Sequence, residues 1–167
     1  NGRVLWERAY AQLWHQVYSA DGRHLAAIVA PRFGRWTVAV DDVPWKATFG
    51  DFVSDLVFSP DGRRAAAVAG QDGRRTVVVD GQPWGETFEA VWPPVFSPDG
   101  RHVAARVKQA GRLRIAVDGR LLPEAFSAAW DPVFNADGTR LLVRAVEQDG
   151  AEAAYLRRVL PVNAITG

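Results

Sequence analysis

The sequence contains no cysteine and no methionine, and it has few histidines and lysines. Without cysteine the chain forms no disulfide and has no thiolate for zinc, for an iron–sulfur cluster or for covalent haem attachment. Its 20 basic residues, all arginine except Lys46 and Lys108, are nearly balanced by 19 acidic residues. The net charge of +1 argues against a dedicated nucleic-acid-binding protein, which needs a basic surface to bind phosphates.

Long apolar segments are also missing. The longest uninterrupted apolar runs, 25–30 and 65–69, fall far short of the roughly 20 residues that a membrane-spanning helix needs. No basic and apolar leader opens the chain, so we expect a cytoplasmic protein that is membrane-associated only through partners. Apolar residues make up 48% of the 167 residues, which is enough for the core of a single domain spanning residues 1–167.

What the sequence does contain is a fourfold repeat. A turn of the form aromatic-Ser-Pro-Asp-Gly-Arg, with some variation, occurs at 18–23, 58–63, 96–101 and 134–139. Its four aspartates lie 40, 38 and 38 residues apart. Proline presets the first turn position and glycine accepts a left-handed backbone, so each copy predicts a tight turn between two strands. Self-similarity at this period indicates an array of structural repeats.

Each repeat predicts four short strands. An apolar strand enters the turn and a second strand follows it, after which a glycine turn leads to a β-branched third strand such as 76–79. A fourth, less regular strand carries Pro-Trp at 44–45 and 83–84. This pattern is typical of propeller blades, so we predict an all-β, four-bladed β-propeller with four antiparallel strands per blade. The repeats lie near 18–57, 58–95, 96–133 and 134–160.

The two ends of the sequence complement each other. Residues 1–14 match a fourth strand, whereas the last repeat stops after its third strand at 154–159. The N-terminal strand is therefore expected to complete the last blade and close the ring, which also covers an exposed sheet edge. The alternative is half of a larger ring, completed by a second copy or by further sequence.

Parts of the sequence resemble known propeller families. The turns at 58–63 and 96–101 resemble those of WD-repeat and TolB-type propellers, and the likeness extends over nearly the whole chain. The segments 35–41, 78–84 and 90–96 are similar to segments of the tryptophan-rich WD-like subunit of the Tmc transmembrane electron-transfer complex of sulfate-reducing bacteria. That resemblance implies a cofactor-free accessory subunit beside cytochrome and iron–sulfur partners. The chain departs from the pattern where Leu122 replaces a tryptophan.

The seven tryptophans include two sets that recur at fixed positions of the repeat. Trp6, Trp45 and Trp84 share a position on the outer strand, where we expect them to pack between neighbouring blades. The second set consists of Trp14, Trp92 and Trp130, and each of them lies seven residues before a turn aspartate. At that point the outer strand of one blade is expected to cross to the inner strand of the next, on the top face around the channel mouth.

The second tryptophan set and its neighbours form the predicted binding surface. Packing would keep the neighbouring residues alike, but they differ between repeats, which favours contact with a partner. A phenylalanine between arginines, in the turn after the second strand, also suits a protein interface. The predicted partner-binding residues are Trp14, His15, Phe33, Asp55, Trp92, Trp130 and Asp131.

No catalytic or metal-binding pattern accompanies this surface. The turn aspartates precede glycines and are expected to stabilise turns rather than to bind calcium. His24 and His102 occupy a position that arginine takes in the other repeats, which argues against metal ligands. We therefore predict a non-catalytic protein-interaction module without a cofactor. The alternative is a multivalent carbohydrate-binding propeller whose tryptophans stack on sugar rings.

Overall fold

Four antiparallel sheets, one for each predicted repeat, make up the computed structural model, which describes residues 6–149 and 152–166. The first sheet contains β1 (Gln12–Tyr18), β2 (Leu25–Arg32), β3 (Arg35–Val40) and β4 (Val43–Pro44). The second contains β5 (Phe52–Phe58), β6 (Ala65–Gln71), β7 (Arg74–Val79) and β8 (Gln82–Pro83). The third contains β9 (Ala90–Val91), β10 (Val95–Phe96), β11 (Val103–Gln109), β12 (Arg112–Val117) and β13 (Arg120–Leu121). The fourth contains β14 (Ala128–Ala129), β15 (Val133–Phe134), β16 (Arg140–Asp149) and β17 (Glu152–Pro161), and α1 (Asn163–Thr166) follows it.

Within each sheet the strands follow chain order. In the third and fourth sheets the first strand is divided into two short pieces that pair with the same second strand. The fourth strand of the first three sheets is only two residues long, and a single bridge from Phe49, Phe88 or Phe126 extends its pairing with the third strand. Four antiparallel strands per repeat are thus confirmed for the first three sheets, and the described part of the fourth sheet has the first three of these strands.

A repeated set of hydrogen bonds holds the turns at 18–23, 58–63, 96–101 and 134–139, which we call the Ser-Asp turns. In the second copy the Ser59 hydroxyl donates to Asp61 Oδ1 at 2.6 Å, and the same oxygen accepts from the N–H of Arg63 at 3.1 Å. The N–H of Arg64 donates back to the Ser59 hydroxyl at 3.0 Å. The side chains of the turn therefore accept hydrogen bonds from the backbone N–H groups that a tight turn leaves without a backbone partner.

Each of the last three turns also contacts the turn of the preceding repeat. Gly62 has a φ of +72°, and a Cβ added there would lie 2.9 Å from the Cβ of Ser19. Gly100 and Gly138 lie in the same way against the preceding turn, with a Cβ position 3.2 Å from an aspartate oxygen. Glycine is required here both for its left-handed backbone and for the close approach. The four turns thus lie side by side along one end of the molecule.

Acid is expected to weaken these turns. Hydrogen bonds from Ser59 and from the N–H of Arg63 hold the pKa of Asp61 below its usual value, and the pKa values of the other three turn aspartates are also lowered. A lowered folded-state pKa stabilises the folded chain above the unfolded pKa of about 3.9, and the contribution is lost as the pH falls through the folded value. Asp61→Asn should therefore lower the urea midpoint of unfolding at pH 7, and the gap from the parent chain should narrow at pH 3. An equal gap at both pH values would contradict this assignment.

The core lies between successive sheets. We call the face of a sheet that packs on the following sheet its forward face, and the opposite face its back face. Between the second and third sheets, Val68 and Phe88 pack with Val103 and Val107. The outer-strand position contributes to every such layer, because its residues pack into the clusters between sheets. These residues are Trp45, Trp84 and Leu122. The predicted packing role of this repeat position is therefore confirmed.

Segment 6–10 covers the back face of the first sheet. Trp6 and Tyr10 pack on a small cluster of buried residues of β2 and β3. Asp42 Oδ2 holds the segment by accepting from the N–H groups of Glu7 at 2.8 Å and Arg8 at 3.0 Å. The segment thus covers the first sheet as the outer strand of a preceding blade would.

The forward face of the fourth sheet has exposed apolar side chains. Tyr155 is 81% exposed and Val159 is 58% exposed on this face. Across the described ranges, no backbone hydrogen bond and no hydrophobic cluster joins the first sheet to the fourth. Closure of the ring by the N-terminal strand therefore stays a prediction, and residues 1–5 of that strand lie outside the described residues.

Candidate functional site

Six of the seven predicted partner-binding residues lie in or between the pieces of the first strands, and Phe33 lies in the turn between β2 and β3. Trp14 is the third residue of β1 and pairs with Ile28 of β2. This corrects the prediction that the second tryptophan set lies at the crossover between blades. The first strand begins before the tryptophan, because residues on both sides of an irregularity pair with the same second strand.

The irregularity follows each tryptophan position directly. His15 and Asp55 have left-handed φ values of 52° and 53°, and the registers of β1 and β5 shift there. The Ser54 hydroxyl donates to Asp55 Oδ2 at 2.7 Å. A bulge of this kind takes a residue out of the ladder and redirects its side chain. Residues at this position are therefore freer to vary than their neighbours in the ladder, as the sequence shows.

Arg106 joins two of the predicted residues. Its guanidinium carbon lies 4.2 Å from the centre of the Trp92 ring, and its Nε donates to Asp131 Oδ1 at 3.0 Å. A second guanidinium nitrogen donates to the carbonyl of Ala129 at 2.8 Å. The Arg106 side chain is 19% exposed, so this contact fastens the third sheet to the fourth. The sequence did not identify Arg106, because the corresponding position is aliphatic in the first two repeats.

Three of the predicted aromatic residues remain available to a partner. Trp14 is 37% exposed with its ring centre 4.4 Å from that of Trp36, and Phe33 is 79% exposed. Trp130 is 44% exposed and lies 6.4 Å from the ring of Tyr155. Within the described ranges, no ring contact joins Trp14, Phe33 and Trp130 to one another. The structure therefore places them as separate contact points rather than as one aromatic cluster.

Among the described residues, exposed large apolar side chains are confined to the first and fourth sheets. The two middle sheets contribute none among the residues described. The exposed residues are Leu13, Trp14, Tyr18, Phe33, Val43, Trp130, Val133, Tyr155 and Val159. Larger apolar patches on a protein surface mark contact sites, so the two ends of the array are the candidate interaction surfaces.

In residues 6–149 and 152–166, no group of three histidine or acidic side chains could hold a metal ion. His24 and His102 instead pair with Asp41 and Asp118, at 2.6 Å and 2.7 Å, beside the Ser-Asp turns. No helix in the same ranges is long and apolar enough to cross a membrane.

Comparison with protein families and with curated proteins gives no match. Solved structures do match. TolB from Acinetobacter baumannii is 14% identical, with a TM-score of 0.50, over 91% of this chain and 41% of TolB. The β-propeller domain of the Trilobed protease from Pyrococcus furiosus, described as having an open velcro topology, is 10% identical with a TM-score of 0.57, over 90% of this chain and 54% of that one. The fold is that of a β-propeller.

At these identities the likeness establishes the fold of this propeller and not its activity. The chain spans 41% and 54% of the length of the two matched proteins. The likeness to TolB agrees with the TolB-type turns in the sequence. A further similar structure, hydrazine synthase from Kuenenia stuttgartiensis, is 17% identical with a TM-score of 0.49 over 92% of this chain and 52% of that one.

Proposed function

We propose that this propeller is a non-catalytic protein-interaction module. The observation that supports the proposal is the distribution of exposed apolar side chains, which lie on the first and last blades while the middle blades bury theirs. Phe33, which is 79% exposed at a hairpin tip, and Trp14, which is 37% exposed on β1, are the contact points of the first blade. Burying such side chains against a partner is favourable by about 25 cal/mol per Å² of apolar surface.

The partner class follows from the resemblance in sequence. The similarity of segments 35–41, 78–84 and 90–96 to that subunit supports the role of an accessory subunit of a membrane-associated redox complex. In this role the propeller would contact cytochrome and iron–sulfur subunits. The exposed first-blade aromatics are the proposed contact with those subunits. His15 and Asp55, at the bulges of neighbouring first strands, and Trp92 and Asp131, beside Arg106, would adjust the fit to a particular partner.

The carbohydrate-binding alternative has less support. A sugar platform needs a free tryptophan face with the same polar neighbours in each repeat. Trp45 and Trp84 pack into the clusters between blades, and the face of Trp92 carries the Arg106 guanidinium. The repeated tryptophans therefore do not form a set of equivalent open platforms.

Affinity capture tests the proposed function. The immobilised chain is exposed to detergent-solubilised membranes of the source cells, and retained proteins are identified by mass spectrometry and haem absorbance. The parent chain should retain cytochrome and iron–sulfur subunits, and Trp14→Ala/Phe33→Ala should lose them. Arg23→Ala/Arg63→Ala, at two side chains that are 83% and 84% exposed on the Ser-Asp turns, is the matched control and should retain them. Failure of the parent chain to retain such subunits, or equal retention by the aromatic double variant, would overturn the redox assignment.

A further inference from the structure

The open forward face of the fourth sheet carries two arginines opposite each other. Arg144 on β16 pairs in register with Arg157 on β17, and both side chains are exposed. Residues paired in this way lie on one face with Cβ atoms about 4.5–5.5 Å apart, so their charges repel. Neither arginine has a carboxylate partner in the described part of the chain. The glutamates that contact β17, Glu124 and Glu147, bind Arg158 on the other face of the strand.

Two aromatic rings stand beside this arginine pair. Trp130 and Tyr155 lie 6.4 Å apart with their planes inclined by 31°. Together with Arg144 and Arg157 they line a cavity of about 540 Å³. Guanidinium groups offer paired N–H donors that fit a carboxylate, and aromatic faces add apolar contact beside it. The site is thus suited to an anionic group carried on an apolar or peptide framework.

The third sheet shows what the same arrangement binds within this molecule. The N–H of Trp92 donates to the carbonyl of Arg106, and the N–H of Trp130 donates to the carbonyl of Arg144, both at 3.0 Å. The two tryptophan–arginine pairs therefore occupy equivalent places in successive blades. Arg106 uses its guanidinium to bind an extended segment, through the carbonyl of Ala129 and the carboxylate two residues later. Arg144 is placed to bind a segment of the same kind.

In the register of the Arg106 contact, the first blade of a second copy offers no acid at this place. In the first blade, Leu13 and His15 occupy the repeat positions of Ala129 and Asp131. Packing that blade in this register would place Leu13 and His15 where Arg106 finds Ala129 and Asp131, and burying an unpaired charge is strongly unfavourable. Charge complementarity therefore favours an acidic segment of a different protein over the first blade of a second copy.

We propose that the forward face of the fourth blade binds an extended acidic segment of another protein, with its carboxylate between Arg144 and Arg157. The proposal rests on the interaction role proposed above and assigns a second contact surface and its partner chemistry. The bound carboxylate would remove the repulsion between the two arginines, and the ring of Trp130 would cover the adjoining peptide. Arg144 would thus make with another protein the kind of contact that Arg106 makes within this chain.

A peptide titration followed by NMR tests this proposal. The probe is a peptide with the sequence of residues 127–133, Ser-Ala-Ala-Trp-Asp-Pro-Val, since Arg106 binds this segment in the intact chain. We expect saturable shifts of the Trp130 indole N–H and of the Nε–H groups of Arg144 and Arg157. A peptide with asparagine in place of aspartate should bind about tenfold more weakly or worse, because hydrogen bonds to charged groups are the strong ones.

Paired variants complete the test. Arg144→Gln/Arg157→Gln should lose at least tenfold in affinity for the acidic peptide while keeping the amide spectrum of the folded chain. Arg23→Gln/Arg63→Gln removes the same charge at the Ser-Asp turns and should bind like the parent. Equal affinity for the aspartate and asparagine peptides, the same shifts from sodium acetate at the same concentration, or sedimentation showing that copies of the chain associate through this face would each overturn the proposal. No redox subunit takes part in the titration, so its result is independent of the capture experiment.

Discussion

Replacing Phe88 with alanine should lower the free energy of unfolding by about 3–5 kcal/mol, among the largest effects of a single truncation in this chain. Phe88 is 0% exposed and belongs to the cluster between the second and third blades. It also bridges the end of the outer strand to β7, through backbone hydrogen bonds with Arg75 of 2.9 Å and 2.7 Å. The buried ring of Phe88 therefore holds in place a segment that forms few strand hydrogen bonds. Urea unfolding at neutral pH measures the loss.

Phe33→Ala provides the matched control. It removes the same side chain from a hairpin tip where 79% of it is exposed, so its effect on unfolding should stay within about 0.5 kcal/mol. Comparable losses from the two variants would contradict the division between packing and contact residues. The same comparison supports the capture experiment, because it shows that a Phe33 variant is folded.

Replacing Gly70 with alanine should destabilise the chain by about 1–3 kcal/mol, although alanine is normally better than glycine in a strand. Gly70 is buried in β6 and pairs with Phe52 of β5. A Cβ at Gly70 would lie 2.4 Å from a carbon of the Phe52 ring. Arg75, which also pairs with Gly70, places its guanidinium carbon over the same ring, 5.3 Å from the ring centre. The ring cannot move away without losing this contact.

A double-mutant cycle and a second glycine test this explanation. In a Phe52→Leu background, Gly70→Ala should cost less than in the parent, because the clash is relieved. Gly85→Ala places a methyl group where no atom lies within 4 Å and should be neutral or slightly stabilising. An undiminished loss in the Phe52→Leu background would show that the ring is not the cause.

The sheet order was predictable because its signals are local. Each Ser-Asp turn carries its own proline or alanine, aspartate and glycine, and the β-branched third strands follow at constant spacing, so the period alone orders the strands. The less regular outer strand was predicted from the Pro-Trp pairs at 44–45 and 83–84. The residues that pack between blades were predicted for the same reason, because every blade repeats them.

The contacts between repeats were not predictable in the same way. The pairing of Phe52 with Gly70 becomes visible only when the register of β5 and β6 is known. The bulge after Trp14 has no sequence signal of its own, which is why that tryptophan was assigned to a crossover instead of to a strand. Arg106 reaches Asp131 across 25 residues of sequence, and neither residue recurs in all four repeats.

The contact between successive Ser-Asp turns has a consequence for how this protein can change its length. An added residue in one turn would displace the glycine that lies against its neighbour, so the change would be transmitted to the adjacent repeat. The hairpin tips at the other end, at Gly34, Gly73 and Gly111, have no atom within 4 Å of the Cβ position. Exposed tips of this kind accept insertions readily. New loops, tags or whole domains can therefore be added at the Gly73 and Gly111 tips, whereas the Gly34 tip carries the contact residue Phe33 and the Ser-Asp turns must keep their present length.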